Sequence, residues 1–264
     1  MLGRGPSEAV DSLGDMIIGA HVHSDDPLRE ATSVDAECIQ MFLGPPQSWR
    51  KPPPRSDAAA LRASPMPVYV HAPYPVNVAS PNNRVRIPSR KILADTIERA
   101  HDVGASGVIV HAGHAEDGVH RGFVRWRKAF EELEGAMPIY IENTAGGTNA
   151  MARRVDVLAE LWEHLSDFDV RFCFDTCHAH AAGEDLDDVI DRTIAATGGI
   201  DLLHANDSRD PPGTGADRHA NFADGRMDDK VLLEMVRAAG APVVICETPW
   251  PGIADDISWL RQSL

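Results

Sequence analysis

The chain has 264 residues, of which 43% are hydrophobic and 25% charged, and its 40 acidic against 25 basic side chains leave a formal net charge of −15. That length suits one large core or two small ones; the composition is that of a soluble globular protein, and no apolar run approaches the ~20 residues that cross a bilayer. At first sight the acidity argues against nucleic acid, yet the 12 histidines are ready metal ligands, and carboxylates bound to cations are neutralised in place.

In chain order, residues 1–15 are polar and lack the apolar segment of a signal peptide. They are expected to form a disordered leader before a single domain over 16–264. Strands are expected in MIIGAH, which begins at Met16, and in ECIQMF, which precedes a proline-rich loop too short to separate domains. The third strand is PVYVH, and the helix after it is expected over SRKILADTIERAHDVG, capped by Ser89 and ended by Gly104. GVIVH, PIYIE, VRFCFD and IDLLH follow as strands four to seven. A helix in DDKVLLEMVRAAG, acidic in its first turn and closed by Gly240, leads to the last strand, PVVICE. Eight strand–helix units predict a closed parallel (β/α)₈ TIM barrel, with an open doubly wound sheet as the alternative. Cys38, Cys173, Cys177 and Cys246 form no CxxC pair, which fits buried, reduced thiols in a cytoplasmic protein.

The polar residues near the ends of these eight runs are His21, Gln40, His71, His111, Glu142, Asp175, His204 and Glu247. In a barrel of this kind the strand C-termini form the active face. Carboxylates converging there without cations would repel one another strongly, so the barrel mouth is expected to hold divalent metal. Two loops add ligand types: DTCHAH supplies His178 after the sixth strand, and GADRHAN supplies Asp217 and His219 after the seventh. Residues two apart in an extended segment point the same way, so Asp217 and His219 can grip one ion. The mixture of nitrogen and carboxylate favours zinc or manganese over calcium or magnesium. A carboxylate bridging two ions would hold them ~3.5–4 Å apart, as in phosphoryl-transfer sites.

The motifs YVHAPY, VIVHAGH, IENTAGG, CFDTCH, LHANDSRD, GADRHAN and ICET occur in this order from about Met16 to the C-terminus. Together they resemble the bacterial endonuclease IV family (deoxyribonuclease IV), the zinc-dependent apurinic/apyrimidinic endonucleases. The resemblance implies a DNA-repair enzyme that hydrolyses the phosphodiester 5′ to abasic sites in duplex DNA and leaves a 3′-hydroxyl, with 3′-end trimming as a further activity. It implies three zinc ions: one on His71, His111 and Glu142; one on Glu142, Asp175, His204 and Glu247; and one on His178, Asp217 and His219. Glu142 would be the bridging and catalytic carboxylate, with water activated by the ions as nucleophile.

His21 and His114 are expected to orient ligands or bind phosphate, and Arg218 to face the phosphate or form a structural ion pair. The loop after the third strand offers Tyr74 as a wedge into the duplex, followed by the basic residues Arg84, Arg86, Arg90 and Lys91. Gln47 is expected to insert from the loop after the second strand. The chain departs from the family pattern at Gln47, Pro75, His180 and Ala223, none of them an expected ligand. The rival reading is a divalent-metal sugar isomerase or epimerase, which Glu142, Asp175, His204 and Glu247 alone would satisfy. The expected assembly is a monomer.

Overall fold

A computed structural model describes residues 16–23, 25–133 and 137–264; the expected leader at 1–15 lies outside these. All eight apolar runs become barrel strands: β1 (Ile17–His21), β2 (Ile39–Met41), β3 (Val68–His71), β4 (Gly107–His111), β5 (Ile139–Glu142), β6 (Val170–Asp175), β7 (Leu202–Ala205) and β10 (Val243–Cys246). Every neighbouring pair is parallel, and β10 closes the ring between β7 and β1. Outside the barrel, β8 (Asp207–Ser208) and β9 (His219–Ala220) form a short antiparallel ribbon. The helices are α1 (Pro27–Ser33), α2 (Ala58–Ala63), α3 (Asn83–Asp102), α4 (Val119–Leu133), α5 (Val155–His164), α6 (Thr176–Ala182), α7 (Val189–Thr197), α8 (Asp229–Ala239) and α9 (Ile253–Ser263). Among the described residues, no helix is long and apolar enough to cross a membrane.

The period of two along each strand separates two apolar environments. Ile18, Val68, Val70, Val108, Val110, Ile141, Phe172, Phe174, Leu203 and Val244 belong to the main core, which includes the buried faces of the surrounding helices. Cys38, Tyr69, Ile109, Cys173, Leu202 and Ile245 form a second, smaller cluster. Each of these six lies two positions before a polar strand-end residue, on the same side of its strand. The barrel interior is therefore apolar below and polar at the mouth. Gly19 is required by this packing, since a Cβ there would stand 2.3 Å from Cys38 Sγ.

One helix boundary differs from expectation. α3 starts at Asn83, not after Ser89; Asn82 caps it by accepting from the Arg84 amide at 2.9 Å. Ser89 is buried inside the helix, and its Oγ accepts from the Asn77 amide at 2.9 Å. Pro88, which reads as the end of a loop, lies within the helix and forfeits one bond to the Arg84 carbonyl. The buried face formed by Ile92, Leu93 and Ile97 compensates for that loss. Arg84 and Arg86 consequently stand on the first turn of a helix rather than in a loop. α8 matches expectation, with Asp228 capping its start and left-handed Gly240 its end.

Candidate metal centre

At the mouth, the side chains of β3, β4, β5, β6, β7 and the residue after β10 converge on Glu142, which is fully buried. Its Oε2 lies 3.1 Å from His71 Nε2 and 3.2 Å from His111 Nε2. Its Oε1 lies 3.1 Å from His204 Nδ1, which is itself 3.3 Å from Glu247 Oε2. The two oxygens of one carboxylate thus serve two different sets of donors. A third set forms beside them, with Asp217 Oδ1 lying 3.1 Å from His178 Nε2 and 3.2 Å from His219 Nε2. The donor atoms fall into the groups His71–His111–Glu142, Glu142–Asp175–His204–Glu247 and His178–Asp217–His219, with all atoms in a group within 4.8 Å of one another.

These groups fit divalent metal on three counts. First, Zn–N and Zn–O bonds of ~2.0–2.1 Å place tetrahedral donors about 3.3–3.4 Å apart, close to the separations seen here. Second, the unused ring nitrogens are already committed. His71 Nδ1 donates to the Ala72 carbonyl at 2.7 Å, His178 Nδ1 to the Asn143 carbonyl at 2.9 Å, and His204 Nε2 to Gln40 Oε1 at 2.7 Å. Each of these rings therefore presents a lone pair to the centre. Third, His219 Nε2 is buried without a well-aligned hydrogen bond, although Asp217 Oδ1 lies 3.2 Å away. The mouth is a candidate metal-binding site.

The electrostatics of the metal-free cluster point the same way. Burial alone would lower His204, but Glu247 and Glu142 outweigh it and raise the ring to about 9. Burial is likewise overcome at His219, where Asp217, Asp175 and Glu247 raise the ring to about 9. Burial would raise Glu142, yet His111 and His204 hold it well below the usual carboxylate range. Without metal, the histidines would have to carry the compensating positive charge. Cys177 also lies within reach of Asp175 and His219. Burial pushes its thiol up to about 12 in the metal-free cluster. All four cysteines are free and buried.

Several amides that the sequence reading did not place in the site orient its carboxylates. Asn206 donates to Asp175 Oδ2 at 2.7 Å and to Glu247 Oε2 at 3.3 Å. Asn143 accepts from the Asp175 amide, while Gln40 donates to Glu247 Oε1. Their one signal is position: Gln40 occupies a strand end, and Asn143 and Asn206 lie one and two residues beyond expected ligands. His21, with Nδ1 3.1 Å from Glu247 Oε1, stands behind that carboxylate and outside the three groups. His114 instead meets Asn77 and Glu116.

Around the mouth, Tyr74 is 45% exposed and packs against Phe42, His71 and His111. Exposed Gln47 joins Tyr74 and the donor residues in lining a cavity of about 540 Å³. Arg84 is exposed. Arg86 is committed to the loop before it, donating to the carbonyls of Ser80 at 2.9 Å and Pro81 at 3.1 Å. Arg90 pairs with Glu132, and Lys91 with Asp95 at 3.6 Å. Arg218 Nε donates to Asp210 Oδ2 at 2.7 Å, forming the ion pair that is one of its two expected roles.

The family model described as the xylose isomerase-like TIM barrel matches residues 28–263. Proteins named "Probable endonuclease 4" from Mycobacterium bovis and Mycobacterium tuberculosis are 57% identical over 249 residues, covering 94% of this chain and 98% of theirs. The protein of the same name from Mycobacterium marinum is 55% identical over 251 residues, covering 94% and 99%. Among solved structures, endonuclease IV from Thermus thermophilus matches with a TM-score of 0.78 at 29% identity, covering 93% of this chain and 96% of that one. A D-tagatose 3-epimerase-like protein matches with a TM-score of 0.76 at 18% identity, covering 94% and 97%, a likeness of fold alone. With near-complete coverage by these relatives and a cluster of candidate metal donors at the mouth of the matching barrel, the chain belongs to the endonuclease 4 family.

Proposed function

We infer that this protein is an apurinic/apyrimidinic endonuclease of DNA repair, hydrolysing the phosphodiester 5′ to an abasic site in duplex DNA and leaving a 3′-hydroxyl. The observation that carries this reading is the division of Glu142, whose two oxygens face different donor groups with a third group alongside. In this reading three divalent ions, chiefly zinc, would be held by His71, His111 and Glu142; by Glu142, Asp175, His204 and Glu247; and by His178, Asp217 and His219. When bound, such ions supply Lewis acidity at the phosphoryl oxygens and lower the pKa of water towards ~7.

The chain's own residues do the rest. Glu142 brings its negative charge to both of the first two groups and so keeps them adjacent. The carbonyls of Ala72 and Asn143, with Gln40 Oε1, fix the tautomers that turn ring lone pairs inward. Asn206 sets the angle between Asp175 and Glu247. Cys177 is buried, and in this reading water is the nucleophile. Tyr74 stands exposed above His71 and His111, where an aromatic ring can occupy the gap left by a missing base; Gln47 approaches from the neighbouring loop, which the Tyr74 amide joins through the Pro46 carbonyl at 2.9 Å. Arg84 serves as a phosphate contact, and Arg86 holds the Ser80–Pro81 turn that precedes it.

The rival reading, a metal-dependent sugar isomerase or epimerase, accounts for Glu142, Asp175, His204 and Glu247. It leaves His178, Asp217, His219 and the exposed Tyr74 without a task. The deciding experiment supplies the purified protein with a duplex carrying one abasic site, an intact duplex, and a panel of ketohexoses. Incision of the abasic duplex alone is expected, with a 3′-hydroxyl end; epimerised sugar with intact DNA would overturn the reading.

A further inference from the structure

Residues 209–218 leave the ribbon after Ser208 and return to it at His219, so this one loop delivers both Asp217 and His219 to the mouth. Its sequence, RDPPGTGADR, includes Gly213 and Gly215 at φ of +76° and +71°. Such glycines make a loop conformationally permissive, whereas a metal group needs its donors held to within a fraction of an ångström.

The fastening comes from α6. His180 is buried, and its Nε2 donates to the Asp210 carbonyl at 2.9 Å. The His180 carbonyl in turn accepts from the Gly213 amide at 3.0 Å, and that of Ala181 from the Gly215 amide at 2.8 Å. The other contact on the Asp210 carbonyl, Ser208 Oγ, is longer at 3.4 Å. With its backbone fixed in this way, Asp210 grips Arg218 through both carboxylate oxygens. Arg218 is the residue between Asp217 and His219. Positions two apart on a helix point roughly 200° from one another, which lets α6 turn His178 towards the mouth and His180 towards the loop.

We infer that His180 is a positioning residue for the third donor group, acting through Asp210 and Arg218 to hold Asp217 and His219 at the spacing of a cation. This rests on the metal-centre reading above. A phenylalanine in its place would fill the space but leave a buried carbonyl without its short donor, and the loop would lose its anchor beside Asp210. Loss of an outer partner of this kind weakens metal affinity on the order of 10–100-fold.

The test compares metal-loaded parent, His180→Phe, His180→Gln and Arg218→Gln as a chelator is raised stepwise, counting zinc retained per chain by elemental analysis. His180→Phe and Arg218→Gln should each release one ion at a chelator level about tenfold or more below that needed by the parent. The other two ions should leave at the parent's level. His180→Gln, whose amide nitrogen can replace Nε2 as donor, should restore the parent's profile. Arg218 is largely exposed, so Arg218→Gln decides the matter if His180→Phe does not fold. A parent that never holds three ions overturns the metal-centre reading itself. A parent that holds three, with Arg218→Gln and His180→Phe indistinguishable from it, overturns the brace alone.

Discussion

Glu142 is the residue on which most of the proposed chemistry turns, because its two oxygens separate two donor groups. Glu142→Gln keeps the shape and removes the shared charge. Incision should fall by more than about 100-fold, and metal content should drop at both of the first two groups. His178→Ala should cost only the third ion, leaving two per chain by elemental analysis. Near-normal incision by Glu142→Gln would show that the bridge has been misassigned. The candidate donors that cluster at the mouth were legible in the sequence because each is a carboxylate or imidazole at the end of an apolar run, or in a loop that follows one, where neither capping nor solubility accounts for it. Gln40, Asn143 and Asn206 were not legible as site residues. A neutral amide at a strand end is ordinary, and only three-dimensional proximity reveals that these three set the orientation of Asp175, His204 and Glu247.

Among the elements, strands were more readable than helix starts, since short apolar runs ending in a polar residue recur eight times, while a proline is an ambiguous signal. Pro88 reads as a loop residue, yet tertiary burial of α3 carries the helix through it. The ribbon of β8 and β9 escaped notice because two-residue strands have no periodicity to detect. Close packing of the loops at the mouth has its own consequence. A Cβ on Gly146 would stand 2.6 Å from the Gly215 carbonyl, so Gly146→Ala must displace the backbone that leads to Asp217. Thermal unfolding should show a loss of about 1–3 kcal/mol, together with weaker retention of the third ion. Ala223 makes the opposite case. It sits at φ +66°, where an L side chain is strained by ~1–2 kcal/mol, partly offset in a glycine variant by the entropy of the unfolded chain. Ala223→Gly should therefore stabilise the protein by about 0.5–1 kcal/mol in denaturant titrations.

At the scale of the whole molecule, a net charge of −15 has to be reconciled with a polyanionic substrate. Screening confines long-range repulsion to about 8–10 Å at ordinary salt, and divalent ions at the mouth would make the contacting surface locally positive. Arg84→Gln should weaken binding to abasic and intact duplexes alike and reduce the slope of log affinity against log salt by ~0.9. Tyr74→Ala should leave that slope unchanged and erode discrimination between the two duplexes, since a wedge stabilises only the opened form. Titrations of both variants on both duplexes across a salt series separate these effects. The central claim is that the barrel mouth hydrolyses a phosphodiester with water, and it is tested most directly by incising an abasic duplex in water enriched in oxygen-18. One labelled oxygen should appear in the new 5′-phosphate, opposite a 3′-hydroxyl, and exhaustive chelation should abolish the cut. An unlabelled phosphate with an unsaturated aldehyde at the 3′ end, or incision that survives chelation, would contradict it.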